Sequence, residues 1–142
     1  MSMDDFAKDY LKRADERLLA GEAAMARGSY PEVVRYSQEA TELSLKAVLR
    51  SVGIEYPKVH DVGEILVLYK DRFEGWFAKE VERMAVFSAE MMAKRSAALY
   101  GLEATGKPPG EVFDDPVESG ADLEEAKRIH QLCGRLIGPK AD

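Results

Sequence analysis

Gly28 and Gly53 fence a segment, GSYPEVVRYSQEATELSLKAVLRSVG, whose apolar residues fall in two rows rather than one. Val33, Tyr36, Ala40, Leu43 and Ala47 follow helical steps of three and four. Val34, Thr41, Leu45, Val48 and Val52 make a second row, rotated about the same axis. One apolar row lets a helix lie on a core, whereas two rows require cover on more than one side. Residues 31–52 are therefore predicted to form the central helix of a bundle. Pro31 suits its first turn, where a missing N–H costs nothing, and Gly53 supplies its stop.

The remaining periodicities predict four more helices and no strand. The first spans residues 4–27, capped by Asp4 or Asp5, with Ala7, Leu11, Ala14, Leu18 and Met25 on its inner face. The third begins near Asp61, a good N-cap, and buries Val62, Ile65, Leu66, Tyr69 and Phe73 before Gly75 breaks it. The fourth covers residues 76–102 with Phe77, Val81, Met84, Ser88, Met91, Arg95 and Leu99 on one face. A loop over residues 103–121 follows, rich in Gly and Pro. Long loops in small domains are often functional. The fifth helix begins after Gly120, capped by Asp122, and carries Leu123, Ala126, His130, Cys133 and Ile137. The predicted fold is all-α: an up-and-down four-helix bundle of helices 1 to 4, with an additional fifth C-terminal helix packed across it.

A chain of 142 residues is one domain, 1–142, with a core large enough to fold alone. It has no apolar run long enough for a membrane span. The single cysteine excludes an internal disulfide and a cysteine-based zinc cluster, and fits a reducing cytoplasm. The net charge of −6 is concentrated after residue 102, so the helical body is near neutral. Global steering towards nucleic acid is not expected, while the totals leave room for a local basic patch such as Lys46, Arg50 and Lys58.

The run Ser37-Gln38-Glu39-Ala40-Thr41-Glu42-Leu43-Ser44-Leu45-Lys46-Ala47-Val48-Leu49, the Gly that follows it, and His60 opening the next helix resemble the HEPN domain family of prokaryotes. Arg95, then Leu99-Tyr100-Gly101-Leu102-Glu103 and Gly106-Lys107-Pro108-Pro109-Gly110-Glu111-Val112-Phe113, resemble its archaeal-type branch. The similarity covers nearly the whole chain, through order and spacing rather than one specific motif. It implies a helical domain that pairs as a homodimer. It also implies association with nucleotides or RNA, and a place beside a small nucleotidyltransferase of the MNT type in a toxin–antitoxin-like gene pair. Many members of the family are ribonucleases that carry, on the equivalent of the fourth helix, Arg, four to six residues, then His. In this chain that spacing after Arg95 leads to Tyr100, Gly101 and Leu102. Tyrosine, with a reference pKa near ~10, is a poor base at neutral pH. The leading expectation is thus a binding module with no catalytic residue. The alternative is an RNA-cleaving or nucleotide-processing enzyme using Arg95, Tyr100 and His60.

Arg95 shares a face with Met91 and Leu99, so its stem is expected to be partly buried and its guanidinium paired with Glu39 or Glu42. If the pair is buried, Arg95→Ala should cost about 2–4 kcal/mol. Lys46, Arg50, Lys58 and His60 are the candidate nucleotide contacts, set near one end of helices 2 and 3. There is no Gly-rich phosphate loop, so any phosphate site must be built from side chains. His60 otherwise caps helix 3, and His130 reads as a core histidine with one hydrogen bond. Asp114, Asp115, Glu118, Asp122, Glu124 and Glu125 lack the loop spacing of a calcium site. The last three of them read instead as acids favouring the start of helix 5. No metal and no cofactor is implied. Phe87 and Met92 lie outside the main stripe of helix 4 and, with the double-rowed helix 2, point to an apolar face covered by a second copy.

Overall fold

The computed structural model describes residues 3–56 and 61–138. The described residues form helices α1 (Met3–Ala26), α2 (Tyr30–Ser51), α3 (Val62–Leu68), α4 (Gly75–Ala78), α5 (Val81–Tyr100), α6 (Pro109–Val112) and α7 (Pro116–Ile137). Single 3-10 turns occur at Lys70–Arg72 and Glu103–Thr105. Among the described residues there is no strand, only an isolated antiparallel bridge between Leu102 and Lys107. No helix among them is long and apolar enough to cross a membrane.

The expected central helix is central. α2 packs against α1, α7, α5, α3 and α6, and both of its apolar rows are buried, from Val33 and Val34 through Leu45, Val48 and Leu49. Contacts between the long helices fix their directions. Arg17 of α1 meets Glu39 of α2 across the short link, His130 of α7 reaches Leu11 of α1, and Arg83 of α5 reaches Glu125 of α7. α1 therefore runs against α2 and α7, and α5 runs against both as well. The result is an antiparallel arrangement in which α2 packs directly on α1, α7 and α5, and α5 reaches α7 through the charged side chains of Arg83 and Lys94.

The structure differs from the sequence expectation in how the helices are cut. The third helix has only seven residues; it ends at Leu68, and Tyr69 caps it. Gly75 opens α4 rather than ending a helix, and the predicted helix over 76–102 is broken at Lys79 and Glu80. α4 places Phe77 in the core, edge-on to Phe73 and Trp76. The last helix starts at Pro116, not after Gly120. Its N-cap is Asp115, whose side chain accepts from the Val117 N–H, with Pro116 in the first turn. Asp122 is not a cap; it lies within α7 and pairs with Lys94 of α5. The C-terminal helix is thus a full wall of the bundle.

Two glycines mark tight geometry. Gly101 ends α5 at φ 73°, and a Cβ there would lie 2.2 Å from the Lys107 carbonyl oxygen. Gly63 lets α3 settle on α5: a Cβ at this position would lie 2.8 Å from Ala85 Cα. Gly63→Ala is expected to cost about 1–3 kcal/mol, the scale of overpacking a close contact. Gly75→Ala, which meets nothing within 4 Å, should stay within about 0.5 kcal/mol. Urea unfolding of both variants measures the difference, and equal midpoints would show that the α3–α5 contact is not tight.

Candidate functional site

Because α2 is covered on most sides, its unburied residues after Pro31 are few: Glu32, Arg35, Tyr36, Glu39, Glu42, Lys46, Arg50 and Ser51. Apart from the terminal Ser51, they recur at helical steps of three and four. They form one wet stripe along the helix, and every candidate side chain on α2 lies there.

Glu39 is the centre of the upper half. Its Oε1 accepts from Arg17 Nε at 2.9 Å, and its Oε2 accepts from Arg35 Nε and Arg95 Nη1, both at 3.1 Å. Arg95 Nη1 also donates to Gln38 Oε1 at 2.6 Å. Arg35 turns its other end to Glu32. One carboxylate thereby ties α1, α2 and α5 together. Of the two expected partners of Arg95 the structure selects Glu39; Glu42 pairs with Lys46. Burial by itself would raise the Glu39 carboxyl, but the hydrogen bonds from Arg17 and Arg95 and the charge of Arg35 outweigh it and hold the group below the usual carboxylate range. The Arg95 side chain is 38% exposed: it is partly covered, as its place beside Met91 and Leu99 predicts, and its ion pair is not a fully buried one.

The lower half joins the candidate nucleotide contacts to aromatic rings. Arg50 lies over the ring of Phe6 at 4.5 Å and near that of Tyr10 at 6.0 Å. Lys46 lies over Tyr56 at 5.5 Å, and Arg13 over Tyr10 at 5.7 Å. A hydrogen bond from Tyr56, with help from Arg50, holds the Tyr10 hydroxyl below the usual phenol range, while burial and the same bond push Tyr56 up. Lys58 and His60, the other two candidates, lie outside the described residues. The sequence reading missed Phe6, Tyr10 and Tyr56. Phe6 and Tyr10 lie some forty residues from Arg50, and only the antiparallel α1–α2 hairpin brings them beside it.

Tyr100 stands at the end of α5 and is 71% exposed; it is not gathered into the Arg95 knot. Leu99 and Leu102 beside it are also exposed, as is Met92 two turns earlier in α5. Phe87, expected on an outer face, is buried, and the apolar rows of α2 are covered by this chain's own helices. Outward apolar residues therefore gather at the C-terminal end of α5, while Leu19, Leu68, Val86 and Val117 are exposed elsewhere. His130 is half-buried, and its Nε2 donates to the Leu11 carbonyl oxygen at 3.0 Å. Cys133 is fully buried, and burial pushes its thiol far above the ordinary range, which leaves it unreactive.

The acidic residues near α7 are mostly spent on ion pairs. Asp122 and Glu118 hold Lys94, Glu125 holds Arg83 and Arg128, and Glu124 holds Lys127. Among the described residues no group of three or more His, Cys, Asp or Glu is placed to hold a metal ion. Gly101 to Lys107 has the glycine and lysine spacing of a phosphate loop. It follows a helix, however, and the Leu102 and Gly106 N–H groups are already bonded within the turn, so it forms no cradle.

Comparison with known families matches the HEPN domain over residues 7–139. No curated protein and no solved structure matches the chain.

The Glu39 knot generates two expectations. With its side chain more than a third exposed, Arg95→Ala should cost about 1 kcal/mol, near the upper range for exposed ion pairs rather than that for buried ones. Glu39 binds its proton less readily folded than unfolded. Its stabilisation is complete above the unfolded carboxylate pKa and is lost as pH falls through the lower folded value. Glu39→Gln should therefore lower stability at neutral pH and flatten the loss of stability on the acid side. Urea midpoints taken from neutral pH downwards check this, and an acid limb identical to wild type would remove Glu39 from the account.

Proposed function

The chain belongs to the HEPN domain family, and we propose that it is a dimeric binding module for nucleotide or RNA phosphates with no ribonuclease activity of its own. The membership carries a nucleotide- or RNA-related role. The finer reading rests on how Arg95 is used. Its Nη1 group is engaged by Gln38 and Glu39, and the residue at the family's histidine spacing is the solvent-facing Tyr100. Cleavage of the 2′-OH type needs a group that gains and loses a proton near working pH, worth on the order of 10²–10⁴ in rate. A phenol outside the arginine cluster is a poor substitute. Lys46 and Arg50, fixed among aromatic rings, supply instead the charge and flat apolar surface that bind a phosphate and a base.

The dimer is argued from Leu99, Tyr100 and Leu102, exposed apolar and aromatic residues at one end of α5, with Met92 exposed two turns earlier. The same patch, or its neighbourhood, is where a small MNT-type nucleotidyltransferase would sit in a toxin–antitoxin-like pair.

Sedimentation at micromolar concentration should show a species of twice 15.8 kDa, and Leu99→Asp should shift it to the monomer; a wild-type monomer would overturn the pairing. The purified protein should leave single-stranded RNA intact in EDTA. Cleavage that disappears in Arg95→Ala or Tyr100→Phe would replace the binding reading with the enzymatic one that uses Arg95, Tyr100 and His60. An ATP titration should show binding that weakens at least tenfold in Arg50→Ala.

A further inference from the structure

Two cavities open one after the other along the seam between α1 and α7. The first, of about 190 Å³, lies between Asp15, Leu19 and Glu22 of α1 and Lys127, His130 and Gln131 of α7. The second, of about 480 Å³, lies between Met25 and Ala26 of α1 and Pro116, Val117, Gly120 and Leu123 of α7. Glu22 and Lys127 line both, and their ion pair crosses the seam between the two. Gly120 keeps the larger cavity open: a Cβ there would lie 3.3 Å from Met25 Cε. Each cavity carries an exposed aliphatic side chain, Leu19 at the first and Val117 at the second. Lone exposed aliphatics are ordinary. These two each border a recess that also holds a buried leucine, Leu18 in one and Leu123 in the other.

We infer that this α1–α7 groove docks a basic amphipathic helix of a partner protein, with two apolar side chains seven residues apart in the cavities and lysines or arginines against the acids of the rim. The groove shares no residue with the α2 stripe or with the exposed end of α5, so such docking is independent of nucleotide binding and of pairing through α5.

Spacing selects a helix. Counted along α1 or α7, the middle of one cavity lies about six to eight residues from the middle of the other, or about 9–12 Å at 1.5 Å per residue. Residues i and i+7 of a helix share a face and stand about 10 Å apart. In an extended chain the same distance is about three residues, and side chains three apart point to opposite faces. Charge selects a basic one. The acids lining the two cavities are Asp15, Glu22 and Glu124, against Lys127; His130 is engaged with the Leu11 carbonyl. The next charges along the two helices and at their ends balance, Lys12, Arg27 and Arg135 against Glu16, Asp114 and Asp115. Glu118, Asp122, Glu125 and Arg128 lie on the other side of α7, held by Lys94, Arg83 and Glu80. Lys127 is divided between Glu22 and Glu124, and Asp15 has no cationic partner among the described residues. An incoming lysine or arginine therefore meets carboxylates that are not yet neutralised. A second copy of this chain is a poor occupant. Its four long helices carry net charges between −2 and +1, and a two-fold contact would set Asp15, Glu22 and Glu124 against their own counterparts.

The test titrates the full-length protein with a labelled synthetic peptide of about sixteen residues, rich in alanine and lysine to favour a helix, with two leucines seven positions apart. It should bind with a Kd of about 1–100 μM, and salt should weaken it. A peptide with glutamates in place of the lysines should bind at least tenfold more weakly. So should one whose leucines stand five apart, since the second then turns about 140° away from the first. Leu19→Ser and Val117→Ser should each weaken binding several-fold with the salt dependence unchanged. Asp15→Asn should weaken it and reduce that dependence. Leu68→Ser, which changes an exposed leucine of α3, should alter neither. Several outcomes overturn the docking. If the acidic peptide binds as tightly as the basic one, the rim does not select charge. If the spacing of the leucines makes no difference, the cavities do not receive two turns of a helix. If Leu19→Ser and Val117→Ser bind as wild type does, the peptide lies elsewhere. If the basic peptide fails to bind at about 1 mM, the groove is no helix site. If Leu19→Ser or Val117→Ser turns a sedimenting dimer into a monomer, the occupant is a second copy and not a partner.

Discussion

The whole arrangement depends on the removal of α2 from water. Its leucines and valines are almost wholly inaccessible, and Thr41 and Ser44 return their hydroxyls to α2's own carbonyls at 2.8 Å. Burying a Leu or Val side chain contributes about 1.5–3 kcal/mol, and α2 does this on almost its entire circumference. A helix so enclosed has only one line along which charge can be placed without a desolvation penalty of several kcal/mol per ion. The charged residues of α2 therefore could not be scattered. They gather on one stripe, and the flanking helices supply partners there.

That constraint explains why so much of the site is both structural and chemical. Glu39 holds Arg17, Arg35 and Arg95 at distances of 2.9 to 3.1 Å. With the side chains about a third exposed, the network contributes less to stability than its bond count implies, since exposed pairs are each worth about 1 kcal/mol or less. Its greater effect is orientation. Three mobile arginine side chains become three fixed guanidinium planes, and the ordering entropy that a ligand would otherwise meet on binding has been met on folding.

The core of this fold was legible because periodicity reports burial directly. The double row on α2, the stops at Gly28 and Gly53 with φ of 72° and 73°, the Asp61 cap and the pairing of Arg95 with an acid of α2 all follow from residue type and spacing, while the choice of Glu39 over Glu42 needed the structure. The beginning of α7 was not legible. Gly106, Pro108, Pro109, Gly110, Pro116 and Gly120 read together as loop, and this composition masked the Asp115-Pro116 start signal. Gly120 is instead a helical residue whose missing side chain accommodates Met25, 3.3 Å from where its Cβ would stand. The break at Lys79 and Glu80 carries no Gly or Pro to announce it. The aromatic neighbours of Arg50 were hidden for a different reason: their proximity is a property of the hairpin, not of any local pattern.

Helical geometry also separates the two candidate roles of Arg95. A residue five positions later on an α-helix is turned about 140° from it, so Arg95 and Tyr100 cannot work on the same face of α5. Their exposures agree with this: Arg95 lies half-covered against α2, while Tyr100 projects into solvent beside Leu99 and Leu102. Within α5 itself, the positions three and four residues along from Arg95 hold Ala98 and Leu99, which have no titratable atom. Any joint chemistry of Arg95 and Tyr100 must then be assembled between two copies, through the same apolar end of α5 that favours pairing. Binding on the α2 stripe requires no such assembly. The proposed pairing through Leu99, Tyr100 and Leu102 and the proposed phosphate binding through Lys46 and Arg50 thus draw on different residues, and only catalysis would make one depend on the other.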